Sequence, residues 1–146
     1  MDKIAIASDH AGFPLKDQLA DYLKEKGFDV LDLGTNNAET SVDYPLEAEK
    51  LVHTIKEEKA PRGILVCGSG IGMCMAANRY SFIRAALVYE VNAAHLARQH
   101  NDANVLCLGA RMTDFETAKK LVDEFLNTPF EGGRHERRIL ELGGMK

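Results

Sequence analysis

The chain has no tryptophan, three cysteines and four prolines in 146 residues, and aromatic side chains make up 7%. Cys67, Cys74 and Cys107 are odd in number and show no Cys-x-x-Cys spacing, which suggests neither a disulfide framework nor a zinc site. No stretch approaches the ~20 apolar residues of a spanning helix, so no membrane partner is expected. Met1–Ala7 lacks the architecture of a secretion signal, because its apolar run is short and Asp9 and His10 interrupt it. Together with the unpaired thiols this gives the expectation of a cytoplasmic chain. A dominant cationic field is missing as well: 18 Lys and Arg stand against 22 Asp and Glu, a net charge of −4. Nucleic-acid and anionic-membrane binding need such a field. A small anion held by a few local cations does not.

What is present is ordinary globular material, 45% hydrophobic and 27% charged. A chain of this length buries roughly 70% of its unfolded surface, enough for a core without staples, and no linker or repeat divides residues 1–146. Short apolar runs alternate with helical patterns. Ile4–Ser8 reads as a strand, and Leu15, Leu19, Tyr22 and Leu23 recur at helical spacing between Pro14 and the stop at Gly27. Strands follow at Phe28–Leu33, Gly63–Val66, Ile83–Val88 and Asn104–Leu108. Helices are expected from Asp43 to about Lys59, from Met73 to Arg79, from Val91 to His100 and from about Asp114 to Asn127. A last helix is expected at about 133–142. Five strands alternating with helices predict an α/β protein, a Rossmann-like three-layer α/β/α sandwich around a five-stranded parallel sheet.

In such sheets ligands bind at the carboxyl ends of the strands, which singles out Asp9 and His10, Cys67 to Gly72, and Gly109-Ala110-Arg111. Cys67-Gly68-Ser69-Gly70-Ile71-Gly72 lies between a strand and a helix, where three glycines leave backbone amides free to receive an anion or a developing oxyanion. The spacing lacks the last interval of the dinucleotide fingerprint, and no Lys-Ser or Lys-Thr follows as in a P-loop. A helix N-terminus favours the thiolate, so Cys67 is either a general base or a small buried residue ending a strand. Met73 stands where a phosphatase-type Cys-x5-Arg motif needs arginine. Cys74 and Cys107 read as buried packing residues.

His10 and His100 sit where a proton shuttle or a phosphate contact is possible, although either alone is more often a surface or helix-end histidine. Residues 131–146 carry Arg134, Arg137 and Arg138, three of the eight arginines. Arg134 and Arg138 fall on one helical face at i and i+4, as a phosphate dianion would require, and Arg137 points elsewhere. The plainer reading is a solvated face balanced by Glu131, Glu136 and Glu141.

Taken in order, Ser8-Asp9-His10-Ala11-Gly12, Asp43-Tyr44-Pro45, Cys67 to Gly72, His100-Asn101-Asp102-Ala103-Asn104, Gly109-Ala110-Arg111 and Gly132-Gly133-Arg134-His135 resemble the type B ribose-5-phosphate isomerases and the related galactose-6-phosphate isomerase subunits. The resemblance spans nearly the whole chain. It implies an active site without metal or other cofactor and a homodimer, sometimes paired into a homotetramer, with active sites at the dimer interface. It assigns Cys67 as base, and Met73 stands where another branch of the family places a glutamate base. Gly68, Ser69, Gly70, Ile71 and Gly72 correspond to the loop that holds the enediolate oxygens, with the Ser69 hydroxyl as a donor. His100 corresponds to the ring-opening residue, and Asp9, Asn101 and Tyr44 to neighbours of the sugar. His10, Arg111, Arg134 and Arg138 correspond to a cationic phosphate-binding set.

The implied reaction interconverts D-ribose 5-phosphate and D-ribulose 5-phosphate. A six-carbon aldose 6-phosphate is the rival substrate, with the loop from Thr35 to Val42 and the pocket at Tyr44 deciding chain length. A non-catalytic nucleotide-binding module and a redox-sensing thiol protein also fit this architecture, since fold alone does not fix function.

Overall fold

The computed structural model describes residues 2–145. The expected domain limits Met1 and Lys146 lie outside them. The chain runs β1 (Lys3–Ser8), α1 (Phe13–Glu25), β2 (Asp29–Asp32), α2 (Tyr44–Lys56), β3 (Gly63–Cys67), α3 (Ile71–Ala77), β4 (Ala85–Leu87), α4 (Val91–Gln99), β5 (Val105–Gly109), α5 (Phe115–Asn127) and α6 (Arg134–Gly143). The strands form one parallel sheet in the order β2-β1-β3-β5-β4.

Strand periodicity divides the core in two. Ile4, Ile6, Ile64, Val66, Leu106 and Leu108 point to one face, under Leu15, Leu19 and Leu23 of α1 and Leu121, Val122 and Phe125 of α5. Their alternates Ala5, Ala7, Leu65, Cys67, Val105 and Cys107 point to the other, under Leu51 and Val52 of α2 and Met73 and Ala77 of α3. With both faces covered, the central strands carry apolar residues at every position rather than at alternate ones.

Of the boundaries that differ from expectation, three have a local reason. α3 starts at Ile71 rather than Met73, because Gly70, at φ 85°, makes the left-handed turn that precedes it. Cys67 is the last residue of β3, held by its pairing with Gly109, rather than the first of the loop. β4 is three residues long rather than six, since it lies at the sheet edge and pairs with β5 alone.

The strand order positions the site. From β1 the chain passes through α1 to β2 on one side, whereas β3, on the other side of β1, leads through α3 on the opposite face towards β4. The β1 and β3 loops therefore diverge above their strands, and the gap between them is the crevice in which α/β sheets bind ligands.

Candidate active site

That crevice is a pocket of about 330 Å³ lined by Asp9, His10, Tyr44, Cys67, Gly68, Ser69, Gly72 and Arg111, with Ala11 and Met112 at its rim. A larger cavity of about 590 Å³ lies between the ends of α3, β4 and α6, lined by Arg79, Tyr80, Arg84, Asn101 and Leu142 among others. The smaller one is the candidate site, because it alone brings together residues that follow β1, β3 and β5.

Its parts fit closely. The Asp9 carboxylate is nearly buried and accepts the Gly12 amide at 2.9 Å, which fixes the turn into α1. A Cβ on Gly68 would lie 2.9 Å from Nη1 of Arg111, and one on Gly72 would lie 2.7 Å from the Tyr44 ring. Both glycines are thus the space that lets a guanidinium and an aromatic ring close on the loop. Among the described residues Arg111 has no carboxylate partner, so its charge is available to an anion.

The thiol of Cys67, 5% exposed, accepts the Gly70 amide at 3.1 Å. The Ile71 amide donates to Ser69 Oγ at 3.2 Å, leaving the Ser69 hydroxyl hydrogen free to donate. These two bonds correct the expectation that all the loop amides face a substrate oxygen. Gly70 and Ile71 do not line the pocket, and their N–H groups are engaged by the loop itself. The amides of Gly68, Ser69 and Gly72 have no acceptor among the described residues and are the donors that remain.

His10 also departs from expectation. Its Nδ1 accepts the Val42 amide at 3.1 Å, so the ring carries its proton on Nε2 while that bond is made. It then donates through Nε2 alone rather than through both ring nitrogens.

His100, Asn101, Arg134 and Arg138 are absent from the pocket of a single chain. His100 follows α4 and stacks on His135, centroids 4.3 Å apart and planes 14° from parallel, with Glu131 at 3.6 Å. The turn after it is braced by Asp102, at φ 46°, whose carboxylate receives Arg98 at 2.7 Å and Arg84 at 3.3 Å. On α6, Arg137 pairs with Glu141 at 3.8 Å. Arg134 and Arg138 have no ion pair among the described residues, so a balanced, solvated face accounts for Arg137 but not for these two.

His100, Glu131 and His135 put ligand-type atoms within 4.8 Å of one another. Imidazole lone pairs lie in the ring plane, however, and two nearly parallel stacked planes do not converge on one ion. Burial, aided by His100, Arg134 and Arg138, holds His135 below the usual histidine range.

Cys107 is the buried packing residue expected, whereas Cys74 is only partly buried. The neighbouring Cys107 draws Cys74 down to about 7, whereas that neighbour and complete burial push Cys107 well above the ordinary thiol range. Neither lines the pocket. Met73 is fully buried in the core beneath α3.

Sequence reasoning missed Met112 at the rim, which the turn after Arg111 could have suggested, and Tyr89, whose hydroxyl donates to the Ser69 carbonyl at 2.8 Å. Nothing local to Tyr89 announces that contact.

Residues 4–142 match the family model described as Ribose/Galactose Isomerase. The structure is similar to that of the Thermotoga maritima ribose 5-phosphate isomerase, with 53% identity, a TM-score of 0.96 and 99% of each chain covered. It is also similar to the Mycoplasma genitalium ribose-5-phosphate isomerase B with ribulose-5-phosphate bound, at 46% identity and a TM-score of 0.91 over 96% of this chain and 93% of that one. Ribose-5-phosphate isomerase B of Escherichia coli K12 is 43% identical over 139 residues, 95% of this chain and 93% of that protein. This chain belongs to the ribose/galactose isomerase family.

Proposed function

We propose that this chain interconverts D-ribose 5-phosphate and D-ribulose 5-phosphate through an enediolate, with Cys67 as the base and a second copy of the chain completing each pocket. The observation that carries the reading is the pocket itself, in which the nearly buried Cys67 thiol shares one crevice with Ser69, His10 and the unpaired Arg111.

The phosphate lies against Arg111 and the Nε2–H of His10, and Arg134 and Arg138 reach it from the partner copy, on the helix that the sequence marks for this role. His100 of that copy assists ring opening by proton transfer, with Asp9 and Asn101 beside the sugar hydroxyls and Tyr44 along its flank. The Cys67 thiolate removes the proton from C2, and the C2 carbon–hydrogen electron pair becomes the enediolate double bond as the C1 carbonyl oxygen takes up negative charge. The free amides of Gly68, Ser69 and Gly72 and the Ser69 hydroxyl stabilise that charge. The thiol returns the proton to C1 while the O2 hydroxyl proton passes to O1, so no electron leaves the substrate and no hydride acceptor is needed. Phosphate contacts remote from the reacting carbons fix the geometry of transfer.

Two features support the partner copy. Arg134 and Arg138, which the pocket lacks, have no ion pair among the described residues and would add two guanidinium groups to that of Arg111. Tyr44 and Leu46 on α2 and Ile71 and Met75 on α3 are exposed apolar side chains on the helices that border the pocket, as a covered surface would supply. Both features support a homodimer, or a homotetramer made from two. Among the described residues no helix is long and apolar enough to cross a membrane. The free thiols Cys67, Cys74 and Cys107 suit a cytoplasmic enzyme.

The test is a coupled assay of the purified protein on ribose 5-phosphate, allose 6-phosphate and galactose 6-phosphate. The highest kcat/KM is expected for ribose 5-phosphate. Turnover confined to a six-carbon substrate would move the assignment to the hexose phosphates, and no turnover on any would leave a binding module or a thiol sensor.

A further inference from the structure

The Ser69–Gly70 peptide unit is engaged at both ends. Its carbonyl oxygen accepts the Tyr89 hydroxyl at 2.8 Å, and its N–H donates to Cys67 Sγ at 3.1 Å. We propose that Tyr89 is a positioning residue for the Cys67 thiolate, acting through this one peptide. The proposal deepens the reading of Cys67 as base and rests on it.

The unit is planar, and in the trans form its C=O and N–H point in opposite directions. A donor that fixes the oxygen therefore fixes the direction of the N–H. Such a fix is needed here because Gly70 sits at φ 85°, and glycine tolerates alternative backbone conformations, including the one in which the preceding peptide has flipped. A flip would turn the N–H away from sulfur and present a carbonyl dipole to it, which disfavours negative charge.

The surroundings select the observed orientation. A Cβ on Gly109 would lie 2.4 Å from the Ser69 oxygen, and one on Gly70 would lie 2.6 Å from Cδ1 of Leu87. The carbonyl thus rests against the end of β5, and β4 packs on the turn. Tyr89, two residues beyond Leu87, supplies the hydroxyl from the same connection. A donor on the carbonyl also withdraws electron density along the amide and strengthens the N–H, by roughly 10–30% for bonds in a chain. Orientation and polarisation both favour the thiolate.

Tyr89→Phe keeps the ring and removes the hydroxyl. Two readouts on the intact protein follow: the pH dependence of iodoacetamide alkylation at Cys67, resolved from Cys74 and Cys107 by peptide mass, and the pH profile of kcat on ribose 5-phosphate. The alkylation midpoint should rise by roughly half a pH unit, and the acid limb of kcat should follow, with about threefold lower turnover below the limb and KM within about twofold. The Gly70 amide proton should move upfield in the NMR spectrum as its bond to sulfur weakens. An unchanged alkylation midpoint with an unchanged Gly70 resonance would overturn the role of Tyr89. A shifted midpoint beside an unmoved kcat limb would uphold the hold of Tyr89 on the thiolate and remove Cys67 as the base, so the two readings fail separately.

Discussion

The backbone amide of Val42 donates to Nδ1 of His10 at 3.1 Å, joining the loop before α2 to the first residue pair after β1. Nδ1 thereby holds the loop, and in the proposed function Nε2 is left for the phosphate. His10→Asn places an amide oxygen near the position of Nδ1 but reaches no further. It should keep the loop and lose the phosphate donor, raising KM for ribose 5-phosphate about ten- to hundredfold, the worth of one hydrogen bond to a charged group. His10→Gln reaches the phosphate and loses the loop contact, so its KM should fall between wild type and Asn. Equal KM values for the two variants would deny the division of labour.

Cys67→Ala removes the proposed base from a position that is 5% exposed. Turnover should fall by roughly a hundred- to ten-thousandfold, the range for a lost general base, while thermal unfolding shows a loss of about 1 kcal/mol from the missing sulfur contacts. A variant with near-wild-type kcat would take Cys67 out of the reaction.

The rhythm of the sheet is legible in the sequence because β1, β3 and β5 are buried on both faces and so read as unbroken apolar runs. Gly70 and Gly72 are not distinguishable there as the turn residue, since only the backbone shows which one is left-handed, and the expected start of α3 falls two residues late. The pocket residues Asp9, His10, Cys67 and Arg111 are legible because each directly follows or ends a strand. Tyr89 is not, because its value lies in a hydrogen bond across twenty residues to a carbonyl that every residue possesses. The separation of His100, Arg134 and Arg138 from the pocket is equally hidden. Motif order in a sequence carries no record of which copy of the chain supplies which motif.

If each pocket draws on two copies, inactive variants should complement. Cys67→Ala damages one side of the pocket, and Arg134→Ala with Arg138→Ala damages the other. Unfolded and refolded together in equal amounts, the two should form mixed dimers in which one pocket is intact and one is doubly defective, recovering about one quarter of wild-type turnover. Recovery no greater than the sum of the separate variants would mean that all of these residues act within one chain.

Cys74 should be a readily labelled thiol near neutral pH, since its partner Cys107 draws it down to about 7. Half-maximal alkylation of Cys74 is expected near that pH, with Cys107 protected by complete burial. Cys107→Ala removes that neighbouring thiol and should return the Cys74 midpoint towards the ordinary thiol value of about 8.5. A midpoint that does not move would place the cause in Asn78 or the Leu87 amide, which also face the sulfur.

His135 sets an acid limit on the fold. Its ring is 6% exposed, stacks on His100 and lies beside Arg134 and Arg138, with Glu131 the one acidic group opposing them. Burial and these positive neighbours hold the folded-state value below 6.5. Between that reference and the lower folded value, the unfolded chain binds more protons than the folded one. Stability therefore rises with pH across this window and falls as the pH drops through it. Melting temperatures taken from about pH 7 down to pH 5 should decline, and His135→Phe, which keeps an aromatic ring against His100, should flatten the slope. The effect on α6 should register in function as well, because Arg134 and Arg138 extend from the same helix: KM for ribose 5-phosphate should climb over the same acid range in wild type and climb less in the variant. An identical slope in both proteins would assign the acid sensitivity to groups other than His135.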